Sequence, residues 1–157
     1  KVDDMVAKTQ KIFERLDHDL AQGFNTMQTM RLLDLANRKG KAPGGYCTSF
    51  AVAERPFILM NAVGIHDDVQ TLLHEGGHAF HALASAPEPL VFLRQPPMEF
   101  CEVASMSMEL LTMPHWGAQN GRDGFYSNGI QGGIAPVSTG RNRRICTRCV
   151  PTERNCV

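Results

Sequence analysis

The chain has 157 residues, 43% of them apolar, and carries as many Lys and Arg as Asp and Glu, sixteen of each. That length suits one ordinary domain with a single core. No apolar run approaches the roughly 18 residues of a membrane-spanning helix, so no membrane partner is expected. No charged-then-apolar segment with a small-residue cleavage site opens the chain, so no secretory leader is expected. The first residue is Lys1 rather than Met, so a piece of something longer is expected, with a processed chain as the alternative.

In chain order, residues 3–22 place Met5, Val6, Ile12, Phe13, Leu16 and Leu20 at helical spacing behind Asp3 and Asp4, which suit an N-terminal helix dipole. Gly23 is read as the stop. A second helix is predicted over 26–38, with Met27, Met30 and Leu33 on one stripe and Lys39-Gly40 as its end. Residues 40–45 (GKAPGG) form a turn, and the β-prone runs 46–52 and 56–61 read as a hairpin. Asp67 and Asp68 open a long helix that must end by Pro87. Four prolines make 87–97 a loop or extended connector, and a last helix runs from about Met98 to Met113, halted by Pro114. The fold class is therefore mainly α with a small β-hairpin.

The composition shifts at Gly117. Residues 1–116 hold ten basic against fourteen acidic residues, whereas 117–157 hold six Arg, two acids, seven Gly and three Cys. A domain over 1–116 and an irregular, solvated tail over 117–157 are expected. Nucleic-acid contact would need Arg interleaved with stacking aromatics, and Phe125 and Tyr126 lie far from the Arg cluster at 141–148, so no nucleic-acid partner is expected. Cys146 and Cys149 form a C-x-x-C without the second pair a zinc ribbon needs. Cys47 and Cys101 stand alone among apolar neighbours and read as buried thiols. Five cysteines without a framework fit a reducing, cytoplasmic compartment.

The chemistry concentrates in TLLHEGGHAFHAL (71–83), where His74, Glu75 and His78 form an H-E-x-x-H pattern. In this composition the pattern arises by chance in about 1 chain in 90, so its surroundings must decide. On a helix, i and i+4 differ by roughly 40° around the axis, which presents both imidazoles to one metal. Glu75, about 100° away, is placed to reach a water rather than the metal. A third ligand is needed, and Glu88, Glu99, Glu102 and Glu109 are the candidates. The prolines let the 98–113 helix fold back antiparallel to the motif helix. Glu102 is flanked by Val103, Ala104 and Ser105, small enough for a close helix approach, and Glu109, on the same face, can hydrogen-bond a ligating histidine. Spacing alone does not separate Glu99 from Glu102. His81, at i+3 from His78, is left open between support behind the ligands and simple packing. Gly76 and Gly77 each cost about 1 kcal/mol inside a helix, so the pair points to a close backbone or substrate, with tolerance as the alternative. The competing reading of the histidines is a helix of satisfied imidazoles without a metal.

GKAPGGYC (40–47), the stretch from Ile58 to His81, and FCEVASMSMELL (100–111) resemble, in this order, the catalytic core of the oligoendopeptidase F and thimet-oligopeptidase family of zinc metallopeptidases. The likeness covers about residues 1–116. It implies a zincin-like helical core, Zn2+ as cofactor, His74, His78 and Glu102 as ligands, and Glu75 as catalytic base. It also implies that the strand holding Gly45 and Tyr46 pairs with an extended oligopeptide substrate. The implied function is a zinc-dependent endopeptidase, here as a partial catalytic domain; the alternative is a catalytically inactive zinc-binding fragment. Members of the family are several hundred residues long and carry a downstream Gly- and Tyr-rich block that stabilises the oxyanion. Nothing after Trp116 matches that block, and residues 117–157 are expected to be the product of a shifted reading frame or a broken gene rather than family sequence.

Overall fold

The computed structural model describes residues 2–116. The boundary at Gly117, the basic tail and the C-x-x-C at 146–149 lie outside the described residues. Four α-helices and a three-stranded sheet carry the fold: α1 (Val2–Leu16), α2 (His18–Thr29), β1 (Leu33–Ala36), β2 (Gly45–Phe50), β3 (Arg55–Ala62), α3 (His66–Ser85) and α4 (Met98–Thr112). The mainly helical class with a β-hairpin holds, and two element boundaries are corrected.

The first correction is the single helix expected over 3–22. It breaks at Asp17, whose backbone is extended and whose Oδ1 accepts the N–H groups of Asp19 and Leu20 at 2.8 and 3.1 Å. Those two donors would otherwise be orphans of a helix start, so the carboxylate begins α2 there. Gly23 does not stop a helix; it lies inside α2, where a Cβ would come within 3.3 Å of Leu83 Cδ1 and 3.4 Å of a Phe80 ring carbon on α3. Its role is close helix packing.

The second correction is the helix expected over 26–38. α2 ends at Thr29, Arg31 turns the chain with φ 57°, and Leu33–Ala36 becomes β1. β1 lies parallel to β3, with Leu33 opposite Ile58 and Asp34 opposite Leu59. Tertiary pairing overrides a weak helical stripe here. Asp34 is anchored by a two-toothed contact from Arg38 (2.6 and 2.7 Å) and by Lys41 Nζ at 2.9 Å. Those hydrogen bonds, Arg38 foremost and then Lys41, hold the Asp34 carboxyl far below the usual range.

The hairpin forms as expected, with Gly45 opposite Met60 and Phe50 opposite Arg55. The strand order β1-β3-β2 leaves β2 at the edge. β3 alternates, burying Pro56, Ile58, Met60 and Ala62 on one face, as a half-covered strand should. α3 packs on the sheet with Leu72 and Leu73 fully buried. Its start is fixed by Asp68, whose Oδ2 accepts the N–H groups of Val63, Gly64 and Ile65 at 2.6–2.9 Å. Phe13 meets Phe24 and Phe80 edge-on at 5.1 and 4.9 Å, tying α1, α2 and α3 into one core. The proline-rich connector holds a 3-10 turn at Val91–Arg94. α4 then returns along α3, leaving Phe100, Val103, Met106 and Leu110 exposed on its outer side. No helix among the described residues is long and apolar enough to cross a membrane.

Candidate metal centre

α3 places His74 and His78 on one face, their rings 5.0 Å apart and nearly perpendicular. α4 brings a single carboxylate to both: Glu102 Oε2 is 3.3 Å from His74 Nε2 and 3.8 Å from His78 Nε2. One ligand atom from each of these three residues lies within 4.8 Å of the others. Two atoms each about 2.1 Å from a tetrahedral centre stand about 3.4 Å apart, so the spacing suits one small cation. His74 Nε2, His78 Nε2 and Glu102 Oε1 are buried without a hydrogen-bond partner among the described residues. Buried polar atoms left this way are costly unless something else satisfies them. The donor set, two imidazoles and a carboxylate with room for a water, is of the type catalytic zinc takes. The residues therefore fit the metal that the sequence pattern implies.

The close approach of the two helices has a visible cause. A Cβ on Gly77 would lie 2.6 Å from Ser105 Cα, 2.7 Å from Ala104 O and 3.0 Å from Ser105 N. Gly76 instead meets only Phe13 Cζ at 3.5 Å, an ordinary contact. The two readings of the glycine pair divide between the two positions: Gly77 admits another backbone, and Gly76 is tolerated. Ser105, held at this contact, has its hydroxyl 3.0 Å from both Glu102 Oε2 and the Glu102 carbonyl oxygen, so that its one proton can be donated to the carboxylate.

Behind the cluster, Glu109 Oε1 accepts the Nδ1–H of His74 at 2.6 Å, and Gln70 Nε2 donates to Glu109 Oε2 at 2.6 Å. A proton held on Nδ1 leaves the Nε2 lone pair facing Glu102, the arrangement a metal ligand needs. Burial, the largest influence on His74, lowers its pKa, but the Glu109 hydrogen bond and the charges of Glu75, Glu109 and Glu102 together raise it above the ordinary value. For His78 burial again comes first, the His74 charge adds to it, and the pKa is lowered, which favours the neutral imidazole, the form that a metal would require. Burial pushes Glu109 up, yet the His74 and Gln70 hydrogen bonds outweigh it and hold its carboxyl below the usual value. Glu109→Ala is expected to weaken zinc binding about 10- to 100-fold, read by competition with a chromogenic chelator, while the fold persists.

Of the other candidates, Glu75 is 2% exposed, next to His74 on α3. Glu99 is exposed and outside the cluster. Glu88 is engaged in the connector, its Oε1 accepting the Leu90 N–H and its carbonyl accepting Arg94 Nε. His81 lies outside the cluster too: it lines a groove of about 410 Å³ together with His78. Cys47 through Phe50 on the β2 edge form one wall, the second half of α3 the floor, and Val91, Arg94 and Pro96 the other side. Gly45 and Tyr46 precede the groove's first lining residue on that strand, and a Cβ on Gly45 would clash with Thr71 Cγ2 at 2.6 Å, so its smallness serves the packing of α3 on the sheet. Arg55, Arg94 and Gln95, which also line the groove, carry no sequence signal, because a hairpin and a connector 40 residues apart meet only in the fold.

Residues 11–128 match the sequence pattern of Peptidase family M3. The chain is 27% identical over 104 residues to the chromosomal oligoendopeptidase F of Lactococcus lactis subsp. cremoris, covering 66% of this chain and 17% of that protein. An X-ray structure assigned as an oligoendopeptidase F superimposes with a TM-score of 0.72 at 37% identity over 74% of this chain and 20% of the other. Pz peptidase A with a bound inhibitor gives 0.70 at 37% identity over 73% and 20%. The chain thus spans about a fifth of the length of the relatives it matches. A pattern matched over most of the sequence, with the paired histidines and the converging glutamate inside the matched stretch, means that the chain belongs to peptidase family M3.

Proposed function

We propose that this chain carries the catalytic core of a zinc-dependent metalloendopeptidase acting on oligopeptides. The observation that carries the reading is the convergence of His74 Nε2, His78 Nε2 and Glu102 Oε2, with Glu109 orienting His74. In this reading His74, His78 and Glu102 hold Zn2+, which when bound supplies the Lewis acidity that activates a water and polarises a peptide carbonyl. Glu75 accepts the proton of the attacking water and passes it to the leaving amine. Its burial keeps bulk water from competing for that proton. Glu109 fixes the His74 tautomer, and Ser105 fixes the Glu102 rotamer. The exposed edge of β2 takes the peptide as an added strand, aligning the scissile bond beside His78, with Gly45 and Tyr46 at the strand's start.

The same reading expects a split effect from Glu75→Gln. Cleavage of a quenched oligopeptide should fall by about 10²–10⁴ while zinc content, read by plasma mass spectrometry, stays at one equivalent. Loss of both together would contradict the assigned role. The second reading, a zinc-binding fragment without turnover, is favoured by the fifth of the relatives' length that the chain spans. It is identified by one equivalent of zinc with no cleavage sensitive to Glu75.

A further inference from the structure

The groove does not end at the metal site. It continues along Ser49 and Phe50 to the hairpin turn, where Glu54, Arg55 and Arg94 line its far end. Two of these three are satisfied by one another: Arg94 Nη2 is 2.9 Å from Glu54 Oε1, and Arg94 Nε donates to the Glu88 carbonyl at 2.6 Å. Arg55 is left over. Among the described residues its one side-chain hydrogen bond goes from Nη1 to the neutral carbonyl of Glu54 at 3.1 Å, and its Nε is buried with no partner. No carboxylate among the described residues pairs with it. A guanidinium lining a groove, partly withdrawn from water and without a counter-charge, is an unfavourable arrangement that an anionic ligand relieves. Its planar fork of donors matches a carboxylate in particular.

We propose that Arg55 is a specificity-determining residue of the groove, binding a carboxylate of the peptide that lies along β2. The proposal rests on the peptidase reading. Arg55 pairs with Phe50 across the hairpin, and Phe50 is three residues beyond Cys47, where the groove begins. At roughly 3.3 Å per residue, a peptide strand following the edge from Cys47 comes level with Arg55 after about 10 Å. The carboxylate is that of an acidic side chain or of the peptide's own C-terminus, and these two sources share the same chemistry at Arg55.

The test uses the zinc-loaded full chain and four fluorescein-labelled heptapeptides, with and without a Glu at the far position and with a free or amidated C-terminus. Kd is read by fluorescence anisotropy for the wild type, Arg55→Gln and Arg55→Lys. Arg55→Gln is expected to weaken the carboxylate-bearing peptides by about tenfold or more, to leave the neutral amidated peptide within about twofold, and Arg55→Lys to restore part of the loss. Which peptide responds identifies the source of the carboxylate. Equal Kd values for wild type and Arg55→Gln on all four peptides, or an equal loss on all four, would overturn the proposal and leave the groove as a peptide site. A wild type that binds none of the four would overturn the groove reading and the proposal with it.

Discussion

Gly77→Ala is expected to cost about 2–3 kcal/mol of stability and to weaken zinc binding at least about tenfold, although it adds one methyl group and raises helix propensity. The methyl would lie 2.6 Å from Ser105 Cα and 2.7 Å from Ala104 O. These are backbone atoms, so no rotamer change relieves the overlap, and α4 must move away from α3. Glu102 and Glu109 travel with it, the first losing its 3.3 Å position at His74 Nε2 and the second its 2.6 Å bond to Nδ1. Gly76→Ala provides the internal comparison. Its methyl meets only Phe13 Cζ at 3.5 Å, and the gain of about 1 kcal/mol in helix propensity makes it neutral or stabilising. Urea unfolding and chelator competition on the two variants read both effects. Equal behaviour of the pair would refute the close-approach account.

A larger effect on the metal alone is expected from Glu102→Ala. Full zinc sites of small domains contribute about 10–16 kcal/mol through four ligands, so one ligand accounts for roughly 3 kcal/mol, or about 100-fold in affinity. Loss of its carboxylate also leaves the Ser105 hydroxyl without its side-chain acceptor and two buried imidazole nitrogens without their nearest anion. Glu99→Ala, one helical turn away and exposed, should bind zinc as the parent does. Zinc titration monitored by calorimetry separates the two, and a comparable loss in both variants would contradict the placement of Glu102.

The pairing of His74 with His78, and the position of Glu75 between them, is legible because a helix repeats every 3.6 residues whatever it packs against. The choice between Glu99 and Glu102 is not, since it depends on how α4 is rotated, and that is set by the Gly77–Ser105 contact. Gly77 itself carries a signal, an unfavourable residue inside a helix, but nothing in the spacing distinguishes it from Gly76. The Asp17 break shows a limit of periodicity: the apolar stripe of α1 and α2 continues across Asp17, and only the capping carboxylate divides it. β1 was hidden for a different reason. Four residues alternating around Asp34 are too short to outweigh the Met and Leu stripe until β3 supplies a partner. The groove's far end is formed by the hairpin and the connector, so Arg55 and Arg94 become neighbours of the site through tertiary structure alone.

The central claim is that one cation is shared by two imidazoles of α3 and a carboxylate of α4. X-ray absorption at the zinc edge of the loaded full chain tests it directly. The account predicts nitrogen and oxygen scatterers at about 2.0–2.1 Å, an outer-shell pattern of two imidazoles, and loss of that pattern in Glu102→Ala. A dominant sulfur shell at about 2.3 Å, or a spectrum indifferent to Glu102, would place the metal elsewhere in the chain and contradict it.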